Sequence, residues 1–174
     1  MTASPLKQSP TIDIDIDPIW TETIDWEALA AAATLAAATV APELAHDTML
    51  VSLVMADDDE VQALNKQWRA KDKPTNVLSF PMLSRDEVLR ASARPDAPAM
   101  LGDMILAHGV CTREAAEKGV AVTSHASHLI VHGLLHLAGY DHELGDTEAE
   151  EMEALERKAL ALLGIDDPYA EIGD

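Results

Sequence analysis

The segment His132-Gly-Leu-Leu-His136-Leu-Ala-Gly139-Tyr-Asp-His142 holds three imidazoles at a spacing suited to one metal ion. Four residues separate His132 from His136, so a helix would place both rings on one face, about one turn apart. Gly139 can end that helix with a positive φ and turn the chain back, bringing His142 toward the same point. Three neutral imidazoles suit zinc, and three protein ligands leave a fourth position open for water, as in catalytic sites. One zinc per chain, held by His132, His136 and His142, is therefore the expectation. The same donors also suit iron or nickel.

The neighbouring groups narrow the chemistry. His128 lies one turn before His132 and could be a fourth ligand, but it stands one turn further from the Gly139 bend and is read first as a packing or orienting neighbour. His46 and His108 have no such spacing and are read as ordinary. Cys111, the single cysteine, is read as a small buried residue. A zinc peptidase of the His-Glu-x-x-His type needs a glutamate after the first histidine. Gly133 stands there, so a peptidase reading lacks its general base. Asp141 could orient a ligand or face solvent, and both readings stay open.

A chain of 174 residues with 48% apolar content can bury the core of one domain. Aromatics are scarce, so Ala, Leu, Val and Ile must fill that core. No apolar run reaches the roughly 20 residues of a membrane helix, and no secretory signal is recognisable, so no membrane partner and a cytoplasmic location are expected. The net charge of −19 argues against general nucleic-acid binding. Its distribution is uneven, however. Seven of the twelve basic residues lie between Lys66 and Arg94, while acids crowd from Asp141 to Glu156. A local positive site on an acidic body is compatible with that pattern.

The elements that must position these groups follow from periodicity. Residues 1–10 read as a flexible leader, and 11–170 as one domain. Thr11 to Asp17 alternates with period two and reads as a half-buried strand with an acidic outer face. Trp26 to Val40 forms a helix capped by Asp25, with Pro42 beyond its end. Met49–Met55, Asn76–Phe80 and Leu101–Ala107 read as strands. A helix starts in the acids Asp57 to Glu60, with Val61, Leu64 and Trp68 as its buried stripe. Residues 82–100 read as a surface loop. Helices are expected at about Thr112–Lys118 and Ser124–Ala138. A last helix is expected from Asp146, with Thr147 and Glu150 as a capping box. Its apolar stripe is Met152, Leu155, Ala159 and Leu162, and Gly164 is its stop. This order predicts an α+β fold: a single two-layer domain with a small mixed β-sheet packed against helices and a histidine-bearing central helix.

The histidine block resembles the signature of the YbeY family, bacterial endoribonucleases of ribosomal RNA maturation. Trp68-Arg69 followed by Lys71-Asp-Lys-Pro-Thr-Asn-Val-Leu-Ser-Phe-Pro81 resembles the family's central block. Leu101-Gly-Asp103 with its apolar run resembles the strand before the histidine helix. The likeness covers roughly residues 45 to 170. It implies zinc on His132, His136 and His142, and cleavage of single-stranded ribosomal RNA. It also implies maturation of 16S rRNA near its 3′ end, ribosome quality control, and a functional arginine at Arg69. Ribosomal RNA and the ribosome or its small-subunit proteins are the implied partners, and DNA is not expected.

Physical chemistry is consistent with those roles. A bound zinc can activate water at neutral pH or act as Lewis acid for a ribose 2′-OH, and an arginine fork can stabilise charge on phosphoryl oxygens. Lys66, Lys71 and Lys73 are candidates for holding the RNA backbone. No aromatic-rich stacking platform is evident in the sequence. The competing reading is a ribosome-assembly binding factor with a structural zinc and no catalysis of its own.

Overall fold

The computed structural model describes residues 8–20, 23–141 and 145–169. The elements run β1 (Thr11–Ile16), α1 (Trp26–Val40), a 3-10 turn (Pro42–Leu44), β2 (Met49–Ala56), α2 (Asp58–Arg69) and β3 (Val77–Pro81). Then follow α3 (Arg85–Ser92), β4 (Ala99–Ala107), α4 (His108–Lys118), α5 (Val122–Leu137) and α6 (Asp146–Leu162). Strand order is β1-β2-β4-β3. β1 and β4 run parallel to β2, and β3 runs antiparallel to β4. The sheet is therefore mixed and the domain α+β, as the order of strand and helix signals predicts. Among the described residues, no helix is long and apolar enough to cross a membrane.

Most of the core lies on one face of the sheet. Val51, Leu53 and Met55 of β2 and Met104 and Leu106 of β4 meet Ile130, Leu134 and Leu137 of α5 there. α1 reaches the same core with small side chains, Ala30, Ala33 and Ala37, which let it lie close to α5 and α6. The alternate residues of β3 and β4, Leu78 and Ile105, meet Val61 of α2 and Val110 of α4 on the other face. Helix α5 is thus central, buried against the sheet and flanked by helices. Gly133 makes that approach possible: a Cβ there would stand 2.5 Å from Met104 Sδ on β4. The position that a zinc peptidase fills with its base points into the sheet.

Several expectations are corrected by long-range or local capping. Residues 82–100 are not all loop. Ser84 and Glu87 cap each other reciprocally and start α3, and β4 begins at Ala99. α3 buries only Val88, which is why no apolar stripe marked it. The helix expected from Thr112 starts a turn earlier, at His108, because Asp58 of α2 accepts from the backbone N–H of Gly109 at 2.8 Å and of Val110 at 3.1 Å. In α6 the Thr147–Glu150 capping box does not form, since Gly145 occupies the cap and Thr147 is already inside the helix. Leu162 is exposed beyond the packed part of α6, and the buried stripe runs through Met152, Glu156, Ala159 and Leu160 instead.

The turn after α5 is anchored from two other elements. Gly139 has φ +100°, and its Cα lies so close to α3 that a Cβ would stand 2.8 Å from Arg85 Cα. Arg85 donates to the Ala138 carbonyl at 2.9 Å and pairs with Glu43 at 2.6 Å, and the Tyr140 hydroxyl donates to the same Glu43 oxygen at 2.6 Å. Arg85 also lies over the Tyr140 ring, 4.5 Å from its centre. Burial raises the Glu43 carboxyl, but hydrogen bonds from Tyr140 and Arg85 outweigh it and hold it below the ordinary range. A depressed carboxyl contributes stability above its unfolded pKa, near 4.3, and loses it as pH falls through the folded value. Arg85→Ala is therefore expected to lower the melting temperature clearly at pH 7 and by less as the pH falls below the ordinary carboxylate range, for example at pH 3. Thermal unfolding of both proteins at the two pH values checks this, and an equal gap at both would exclude the Glu43 pairing as the cause.

Candidate functional site

His132 and His136 point from the same face of α5, with their Nε2 atoms 3.1 Å apart. Two nitrogens on one tetrahedral zinc, with Zn–N of about 2.0–2.1 Å, stand roughly 3.3 Å apart. The pair therefore fits a shared ion. His142, the third expected ligand, lies outside the described residues. Among the described residues, no group of three or more histidines, cysteines and carboxylates is placed to hold a metal.

Behind the pair sits a carboxylate that the sequence reading missed. Glu156 of α6 is fully buried. It is bonded to His132 Nδ1 and to the Tyr169 hydroxyl, and its Oε2 stands 3.5 Å from His128 Nε2. Burial raises its pKa, but the hydrogen bonds from His128, His132 and Tyr169 outweigh that and hold the carboxyl at about 2. An ionised carboxylate only accepts, so the proton between them belongs to His132 Nδ1. A neutral His132 ring must then present a lone pair at Nε2, the atom facing His136. This is the carboxylate–histidine arrangement that fixes the tautomer and direction of metal ligands. A signal for Glu156 existed, since it falls four residues after Met152 and three before Ala159, inside the apolar stripe of α6.

His128 lies one turn back on α5, buried beside Glu156 and Tyr169. It is not among the residues lining the cleft that His132 and His136 share. His125 is bonded to Glu114 at 2.8 Å, and burial pushes its pKa down. His46 is bonded to Ser92, and His108 packs edge-on against Trp20. Cys111 is buried with its thiol pushed up to about 12, which leaves it unreactive.

The two histidines open into a cleft of about 600 Å³. β3 supplies Val77, Ser79, Phe80 and Pro81 to its lining, and the end of α2 supplies Trp68 and Arg69. Asp141, beyond the Gly139 turn, lines it too. Arg69 is exposed and has no carboxylate within 4.0 Å among the described residues. The fold thus brings Arg69 to His132 and His136 across 63 residues of sequence, counted from Arg69 to His132. Lys66, Lys71 and Lys73 are exposed close by in the chain but do not line the cleft. Lys66 makes a surface ion pair with Asp72 at 3.8 Å, a contact of little energetic weight.

Trp68 departs from its expected place. It is 65% exposed, whereas Trp20 and Trp26 are 1% and 4% exposed. Asn65 occupies the buried position instead, and its side chain donates to the Lys73 carbonyl at 2.8 Å. Gln62 likewise donates to Asp72 at 3.0 Å. These bonds fold the 71–74 loop back along α2, and the last helical turn leaves its indole beside the cleft.

The chain matches the family described as endoribonuclease YbeY over residues 17–164. It is 76% identical to a Novosphingobium aromaticivorans protein named endoribonuclease YbeY over 162 residues, 93% of this chain and 97% of that one. A Rhizorhabdus wittichii protein of the same name is 55% identical, over 91% and 96% of the two chains. In three dimensions the chain resembles a Thermotoga maritima protein solved in solution, with a TM-score of 0.55 and 22% identity, covering 92% of this chain and all of the other. That last likeness concerns the fold alone.

Proposed function

The chain belongs to the YbeY endoribonuclease family, and on that premise we propose that it is a zinc-dependent endoribonuclease cutting single-stranded RNA. Its substrate is proposed to be small-subunit ribosomal RNA near its 3′ end, in maturation and ribosome quality control, with His132, His136 and His142 holding the metal. One observation carries the reading: Arg69 and the paired Nε2 atoms of His132 and His136 line the same cleft.

When bound, zinc supplies a Lewis acid and brings the pKa of a coordinated water toward 7. The chain's own residues supply the rest. Glu156 holds the His132 proton at Nδ1 and so keeps Nε2 available for the metal. The guanidinium of Arg69 offers paired donors to the non-bridging oxygens of a phosphate, and its attraction grows as negative charge builds on them. Lys66, Lys71 and Lys73 give the acidic body a local cationic margin along which the strand's phosphates can lie.

Glu156→Gln keeps the shape but removes the charge that fixes the His132 tautomer. Zinc affinity is expected to fall about 10- to 100-fold, as for other losses of a carboxylate behind a ligand histidine. Competition with a chromophoric chelator reads this directly, and unchanged affinity would remove Glu156 from the site.

The test of substrate class compares cleavage of a single-stranded RNA from the 3′ region of small-subunit rRNA with the same sequence as duplex RNA and as single-stranded DNA. Cleavage confined to the first supports the proposal. Bound zinc with no cleavage of any of the three would favour the assembly-factor reading.

A further inference from the structure

We propose that Trp68 is a nucleobase subsite: its exposed indole beside the Arg69–His132–His136 cleft stacks on a base of the single strand whose phosphate Arg69 holds. This rests on the ribonuclease reading and adds a residue that grips a base to those that act on phosphate.

Three observations carry it. Trp68 is 65% exposed, the most exposed of the large apolar side chains among the described residues, and it lines the cleft together with Arg69, His132 and His136. It is held out by a structure built around it. Asn65 takes the buried position and bonds to Lys73, while Trp68, on the last turn of α2, stays exposed. Finally, it is adjacent in sequence to Arg69 and flanked by exposed Lys66, Lys71 and Lys73, so an aromatic face sits within a cationic margin. Aromatic faces within a positive track are how proteins hold unpaired strands without reading sequence, and a duplex, whose bases are already stacked, cannot offer the partner. The indole therefore gives a physical reason for a preference for single strands that phosphate contacts alone do not provide.

The experiment measures initial rates of single-stranded RNA cleavage by the zinc-loaded wild type, Trp68→Ala and Trp68→Phe, together with tryptophan emission during RNA titration. Because Trp20 and Trp26 are buried, quenching by RNA reports on Trp68. The expected result is a KM raised about 5- to 150-fold in Trp68→Ala with kcat within a few-fold of wild type. Trp68→Phe should recover most of the loss, and wild-type emission should be quenched by single-stranded but not duplex RNA. A Trp68→Ala variant with wild-type KM, or RNA that is cleaved without quenching, overturns the subsite while leaving the nuclease reading standing. A wild type that neither binds nor cleaves RNA overturns both.

Discussion

His136→Ala is expected to lower RNA cleavage by about 10³-fold, because the metal's contribution of several kcal/mol to the transition state is lost with one of its ligands. His136 Nε2 stands 3.1 Å from His132 Nε2, and among the described residues no further histidine, cysteine or carboxylate completes a metal-holding group with them. The fold should survive. His136 is only partly buried, and α5 is held by Ile130, Val131, Leu134, Leu135 and Leu137, all at or near full burial. Thermal unfolding of the variant and the wild type, both in chelator, should therefore nearly coincide, while zinc content of the variant as purified falls well below one per chain. Loss of folding by the wild type itself on chelation would mean the metal is structural, and loss by the variant alone would mean that the imidazole holds the fold. Retained zinc and retained cleavage would mean the ion is held elsewhere.

Arg69→Ala should give the complementary result. Removing one preorganised donor from a developing oxyanion costs roughly 10²–10³ in rate, and Arg69 is the described arginine that lines the cleft with the histidine pair. Zinc content and melting temperature should stay at wild-type values, since the side chain is exposed and makes no ion pair among the described residues. Arg69→Lys should recover part of the rate but not all, because an ammonium offers a point charge where the guanidinium offers a fork. Single-turnover cleavage by the three proteins, with zinc measured in each, decides this. Equal rates in wild type and Arg69→Ala would remove the arginine from the reaction.

The site was legible in the sequence where its geometry is local. His132 and His136 share a helix face by spacing alone, and the Gly139 stop is a single-residue property. Strands β1, β2, β3 and β4 and helices α1 and α5 follow from periodicities that their own residues carry. Arg69 was reached through resemblance, since nothing local says that the end of α2 faces α5 across the β3 edge. What was missed depends on contacts between distant elements. The start of α4 is set by Asp58, fifty residues earlier. The anchoring of the Gly139 turn joins Glu43, Arg85 and Tyr140 from three elements. Glu156 sits in an otherwise apolar stripe because its partners lie on α5 and near the end of the chain. Trp68 has the right spacing for burial, but Asn65 takes the buried position and makes the bond that sends the loop back along the helix. In each case the residue's neighbours in space, not in sequence, determine its role.

On the proposed function, this cleft cuts RNA through a metal held by the histidines. The most direct measurement is cleavage of a single-stranded ribosomal RNA fragment by the purified protein, before and after exhaustive chelation and again after adding one equivalent of zinc. Activity should disappear on chelation, with metal content falling to near zero, and return with the added zinc. Cleavage that continues undiminished in protein shown to be free of metal would contradict the proposed function.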